Sequence, residues 1–162
     1  MNLPAPKNTP SLPRLLAAPL ARLPDPLHSR LLALALTRTL DESLREGELD
    51  FLQDKSLSIR VRDAGIDFRL TLGNGRLVAA SHVGKCDLVI EGTVYDFMQM
   101  LGRQVDPDTL VFQRRLVMQG NTELGLEVKN FLDGLDMEAL AWHRHLEPVL
   151  LKILPVYKKL FS

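Results

Sequence analysis

Cysteine is all but missing: Cys86 is the only one, so no disulfide can form within the chain and no thiol-based metal site can be assembled. That usage points to a reducing compartment. Cys86 opens an apolar stretch, where a buried, inert thiol is the natural reading. No Cys/His spacing matches a zinc site, and no sequence feature asks for a cofactor. An excess of positive charge is missing too. The 20 Lys and Arg are balanced by 20 Asp and Glu, which argues against nucleic acid as a partner, because affinity for phosphates grows from clustered cations. No run of roughly 18 residues is free of charge and proline, so no stretch reads as a bilayer-spanning helix. Prolines at 4, 6, 10, 13 and 19 interrupt any secretory apolar core. Serine is scarce in the same stretch, which favours a resident arm over an organelle presequence and places the protein in the cytoplasm.

What is present suits one folded domain. The chain has 162 residues, 46% of them hydrophobic, enough to bury a single substantial core and too apolar for disorder. The balanced charge is unevenly spread. Residues 1–47 carry six basic and four acidic side chains, residues 48–136 ten and fourteen, and residues 137–162 four and two. A slightly acidic middle thus lies between two mildly basic, very apolar ends, which suit a membrane surface or an acidic partner.

Residues 1–26 read as a proline-rich amphipathic arm, with Leu12, Leu15, Leu16, Leu20 and Leu23 at helical spacing and prolines limiting the pieces to short ones. A helix is predicted from Leu27 to about Glu46, stopped by Gly47. Period-two alternation follows. Leu57, Ile59 and Val61 alternate with polar residues, as do Ile66, Phe68, Leu70 and Leu72, the pattern of antiparallel strands with one wet face. Asp63-Ala64-Gly65 and Gly73-Asn74-Gly75 supply hairpin chemistry, and segments 76–81 and 86–92 continue the meander. Thr93 caps a helix carrying Phe97, Met98 and Leu101 on one side. Asp106-Pro107-Asp108 begins a short helix or turn, and 114–120 is a fifth strand. Asn121 or Thr122 caps a helix to about Asp133, with Leu124, Val128, Phe131, Leu132 and Leu135 on one stripe. A last helix around 136–146 leads into a basic, apolar helical tail over 137–162, in which Pro155 should introduce a kink.

No catalytic constellation is visible. His28 and His82 lack a serine, cysteine or carboxylate set that would mark a triad. Asp106 and Asp108 read as turn formers, and Gly73-Asn74-Gly75 is no phosphate loop, since no Lys-Ser or Lys-Thr follows. His143 and His145 lie two apart, which does not put them on one helix face for chelation. The protein is expected not to be an enzyme.

The order helix, meander, helix, strand, helix resembles the sterol carrier protein 2 lipid-binding family. The specific part is FQRRLVMQGNTELGLEVKNFLDGLD (112–136), a strand ending in Gly-Asn followed by a helix of small and apolar residues, with CDLVIEGTVYDFMQML (86–101) as the preceding strand and helix. Asn121 stands where that family often has Asp, a change a helix cap tolerates. The resemblance covers 27–136. It implies an α+β domain, a five-stranded mostly antiparallel sheet covered by helices, with an apolar tunnel between them for acyl chains, sterols or isoprenoids. With its proline-rich arm and basic tail, the chain is further similar to a branch of that family that serves oxygen-independent ubiquinone biosynthesis. That branch implies ubiquinone or its polyprenylated precursors as ligand and hydroxylases of the UbiU and UbiV type as partners.

In that frame Phe68, Leu70, Phe97, Met98, Leu101, Met118, Leu124, Gly125, Val128, Phe131 and Leu132 are the candidate lipid-binding residues. Without it, the same faces read simply as core. Methionine suits a wall that adapts to a flexible chain, and Gly125 either packs a helix close to the sheet or leaves space for ligand. In the tail, Leu150, Lys152, Ile153, Leu154, Tyr157, Lys158, Lys159, Leu160 and Phe161 are the candidate membrane contacts. The alternative is a tail folded onto its own domain or onto the partner copy in a homodimer. A general acyl-chain or phospholipid carrier, or a membrane-recruiting adaptor without lipid, are the competing functions.

Overall fold

The computed structural model describes residues 10–135 and 143–161; the side chains of Leu20, Ala21, Leu150 and residues 143–147 lie outside that description, as does most of the helix expected around 136–146. The chain opens with α1 (Arg14–Ala21) and α2 (Asp25–Thr39). Pro24 occupies the N-cap of α2 and Asp25 its first turn, where a carboxylate complements the helix dipole. The helix ends sooner than its composition predicts. Leu40 leaves helical geometry at φ −103°, ψ 25° and is buried in the core, so the chain turns there and continues as α3 (Asp41–Arg45) and a single-turn helix at Asp50–Leu52.

Five strands follow: β1 (Leu57–Val61), β2 (Ile66–Gly73), β3 (Arg76–Ala79), β4 (Leu88–Gly92) and, after α4 (Val94–Leu101) and α5 (Pro107–Phe112), β5 (Val117–Gly120). The tight β2–β3 hairpin turns on Asn74 and Gly75, both with positive φ (52° and 71°), the pairing that two-residue hairpins require. The simple four-strand meander is corrected by the structure. The sheet order is β3-β2-β1-β4-β5, and β4 recrosses to pair in parallel with β1, Leu57 beside Leu88 and Ile59 beside Ile90. The connector is held partway by Arg69, whose Nη1 donates to the carbonyl of Gly84 at 2.9 Å. The other ladders are antiparallel. Register therefore aligns Phe68, Ile59, Ile90 and Met118 in one row across the sheet, and Leu70, Leu57 and Leu88 in the next.

The close of the domain shows why the Gly-Asn step ends β5. A Cβ on Gly120 would stand 2.3 Å from the carbonyl oxygen of Asp87, and its φ of +120° disfavours any side chain. The next amide, of Asn121, donates to that same carbonyl at 2.8 Å, while the Asn121 side chain caps α6 (Thr122–Gly134) by accepting from the amide of Leu124. One core unites α2, α6 and the inner face of the sheet, with Phe97 of α4 packed against it. The tail is a single helix, α7 (His143–Phe161), which keeps Pro148 and Pro155 inside it. The described helices include none long and apolar enough to cross a membrane.

Candidate functional site: an apolar cavity between sheet and helices

The packing of that core is incomplete. A partly open cavity of about 700 Å³ lies between the inner sheet face and the helices, within the range of sites that hold small lipids or drug-sized ligands (~300–1,000 Å³). Strands supply its floor through Leu57, Ile59, Phe68, Leu70, Ile90 and Met118; α4 supplies Phe97, Met98 and Leu101; α6 supplies Val128, Phe131 and Leu132; and Leu32 and Leu36 of α2 close a third side. The wall is almost entirely hydrocarbon. Thr39, Arg103, Asp106, Lys129 and Asp133 are its polar members.

Nine of the eleven residues singled out from sequence stand on this wall: Phe68, Leu70, Phe97, Met98, Leu101, Met118, Val128, Phe131 and Leu132. Leu124 and Gly125 do not. Leu124 is fully buried in solid core, and a Cβ on Gly125 would lie 3.6 Å from Leu88 Cδ1 and 3.8 Å from Met118 Cε. That is ordinary contact distance, so the packing of α6 on the sheet has room for a methyl group there, and the glycine lies off the cavity wall. Sequence reasoning missed Leu57, Ile59 and Ile90, whose alternation is equally consistent with core, and Leu32 and Leu36, because α2 also carries leucines on its exposed side, at 27, 31 and 34.

The polar end is held by two ties between helical segments. Lys129 Nζ of α6 meets Asp108 Oδ1 of α5 at 2.9 Å, and the hydrogen bond and charge of Asp108 raise the lysine pKa. Arg103, following α4, donates to the carbonyl of Leu135 beyond the end of α6. Asp106 is the N-cap of α5, as its turn chemistry predicted, and accepts from the Thr109 hydroxyl and amide, which hold its carboxyl below the usual range.

Behind α4 lies a second cluster, and it corrects part of the tail's expected role. Leu154 and Tyr157 are buried with Tyr95, and Leu12, Met98 and Phe161 pack around them. The rings of Tyr95 and Tyr157 stack at 5.8 Å, and Phe161 meets Tyr157 edge-on at 4.8 Å. Aromatic stacking thus docks the inward face of the tail onto its own domain. Lys152, Ile153, Lys158, Lys159 and Leu160 remain exposed, and the Leu150 side chain lies outside the described residues. Tyr157 has its phenol pushed well above the usual value, first by burial and then by the negative charge of Asp63.

Asp63 does more than turn the chain. Its carboxylate accepts from the amide of Leu12 at 2.6 Å and of Val94 at 2.9 Å, tying the arm to the first residue of α4. A buried ion pair also went unseen. Asp96, fully buried, accepts from Thr93 in a capping box and from Arg115 Nε at 2.8 Å, while Arg115 lies 5.7 Å from the centre of the Tyr95 ring. A serine does reach His82, contrary to expectation: Ser29 Oγ lies 3.1 Å from its Nε2 and also accepts from the Arg69 amide. Ser29 is fully buried, so the contact links α2 to the connector and offers no nucleophile.

A helix-covered mixed sheet around an apolar cavity is the architecture of sterol-carrier-type domains, and comparison with known proteins agrees. The chain belongs to the SCP-2 sterol transfer family, whose model matches residues 32–133. It is 38% identical over 128 residues to the ubiquinone biosynthesis accessory factor UbiT of Escherichia coli strain K12, a match covering 79% of this chain and 73% of that one. The counterpart in Escherichia coli O157:H7 matches to the same extent. Among solved structures, the UbiJ-SCP2 ubiquinone synthesis protein superposes with a TM-score of 0.54 at 17% identity, over 67% of this chain and 95% of that one, a likeness of fold.

Proposed function

We propose that this protein is a non-catalytic, lipid-binding accessory factor of ubiquinone biosynthesis that holds polyprenylated quinone precursors by their tails and presents their head groups to partner hydroxylases. The cavity of about 700 Å³ with its hydrocarbon wall carries this reading, and the similarity to UbiT supplies the pathway. At about 30 Å³ per heavy atom, the share of one water in the liquid, the space takes roughly 20 heavy atoms, or about four isoprene units. Each five-carbon unit contributes about 3–4 kcal/mol of burial before entropy costs, so a few units suffice for tight binding, and a longer tail extends past the wall. Partners of the UbiU and UbiV type, the oxygen-independent setting, a cytoplasmic location and membrane association belong to the same proposal.

The test is lipid extraction and mass spectrometry of protein purified without detergent. Co-purifying ubiquinone or prenylated precursors is the expected result. Phospholipid or fatty acid alone would replace the proposal with a general carrier, and an empty cavity would replace it with an adaptor.

A further inference from the structure

The charged residues of the cavity wall are gathered, not scattered. Arg103 and Asp106 follow α4, and Lys129 and Asp133 lie on α6. Lys129 reaches Asp108 of α5 at 2.9 Å, and Arg103 reaches the carbonyl of Leu135. Lys129 and Asp133 are one helical turn apart on the same face, and the charge of Asp133 adds to that of Asp108 in keeping the lysine protonated. Asp106 engages both its oxygens with Thr109. The two cations, by contrast, have donors to spare. An ammonium carries three N–H groups and a guanidinium five, and each cation makes a single tie among the described residues. Arg103 also holds its backbone at φ 52°, a left-handed conformation that suits glycine or asparagine better. A long side chain is kept at such a position where its head group is needed.

We infer that Lys129 and Arg103 form the head-group site of the cavity, donating to the ring oxygens of a prenylated quinone or phenol whose tail lies along the hydrocarbon wall. The inference deepens the lipid-binding reading and rests on it. The hydrocarbon wall offers a polar ring no partner, and an oxygen buried there without one is costly. The ring therefore belongs at the end where the donors stand. Two cations among Asp106, Asp108 and Asp133 leave no surplus of positive charge, so the site suits an uncharged acceptor and not a phosphate. Lys129 is partly exposed and Arg103 fully so, which holds the ring at the rim, within reach of a partner enzyme.

Native mass spectrometry of the full-length protein tests it with two probes: a ubiquinone with a tetraprenyl tail, and phytane, a branched hydrocarbon of similar length without a ring. The wild type is expected to prefer the quinone by roughly tenfold. Lys129→Met and Arg103→Met should each cut that preference severalfold while phytane binds as before. Asp108→Asn, which breaks the tie to α5 but spares the ammonium, should keep the preference. A wild type that takes both probes equally would overturn the inference and leave the cavity reading standing. So would variants that keep the preference, or an equal loss of both probes in Lys129→Met and Asp108→Asn, which would reduce the lysine to a strut between helices. Dioleoyl phosphatidate displacing the quinone through the same two cations would make this a phosphate site and overturn it too. Binding of neither probe to the folded protein would sink the cavity reading, and the head-group site with it.

Discussion

The cavity and the arm–tail junction lie on two sides of α4, yet one is an apolar hollow and the other is centred on a packed aromatic cluster. The junction is filled by flat rings, Tyr95 on Tyr157 and Phe161 against them, and fixed by charged groups: Asp63 holds the arm and α4 together, and Asp96 with Arg115 anchors α4 from beneath. The cavity is built differently. Its wall mixes branched aliphatic chains, methionines and four phenylalanine rings, of which Phe51 and Phe131 meet only at a tilt, 6.2 Å apart, and its charged ties are confined to one exposed end. Directional contacts make one interface specific. Their scarcity in the other suits the proposed role of taking a flexible ligand.

Breaking the ionic anchor should separate the two regions most strongly. Arg115→Leu leaves the Asp96 charge buried and unpaired, for an expected loss of about 3–5 kcal/mol in urea denaturation; a loss under about 1 kcal/mol would show that the junction does not depend on it. The cavity side turns on two glycines with opposite expectations. Gly120→Ala forces a Cβ against the Asp87 backbone and should cost about 2–3 kcal/mol. Gly125→Ala meets only ordinary contacts inside a helix and should stabilise by up to about 1 kcal/mol, measured as a rise in Tm. A drop with Gly125→Ala would mean that α6 packs too closely on the sheet to admit a Cβ.

The smallest effect concerns Tyr157. Its phenol is raised above the unfolded value of 10.0, so the stability it contributes is complete below that pH and is lost as pH climbs from there toward the folded value. Ultraviolet titration should find a tyrosine that resists ionisation in the folded chain, ionises normally in urea, and disappears in Tyr157→Phe. Ordinary titration of the folded protein would place the phenol in solvent and undo the docked tail.

These contrasts also explain what could be read in one dimension. Alternation in β2 revealed which face is buried, whereas β1 departs from it, with Ser58 fully buried and donating to Asp67 where a wet face was expected; the Gly120-Asn121 step revealed the strand-to-helix close, because its signal is local. The neighbour of β4 was not legible, since period two specifies a face and never a partner strand. Asp96 and Arg115 lie 19 residues apart in segments with no shared pattern, so their pairing is a product of the fold. Val128 and Leu124 sat on one predicted stripe, yet one lines the cavity and the other is solid core; periodicity records burial, not whether the space beyond is filled. Leu154 and Tyr157 looked like membrane contacts for the same reason, because an apolar face does not name what covers it.

The central claim is that the space beneath α4 and α6 is a lipid site. The direct measurement is the amount of lipid bound per chain, by extraction and mass spectrometry, in the wild type and in Leu101→Trp/Met118→Trp, which place indoles at the cavity wall from α4 and β5. The account predicts isoprenoid quinone or its precursors with the wild type and none with the folded double variant. Equal lipid in both would contradict it.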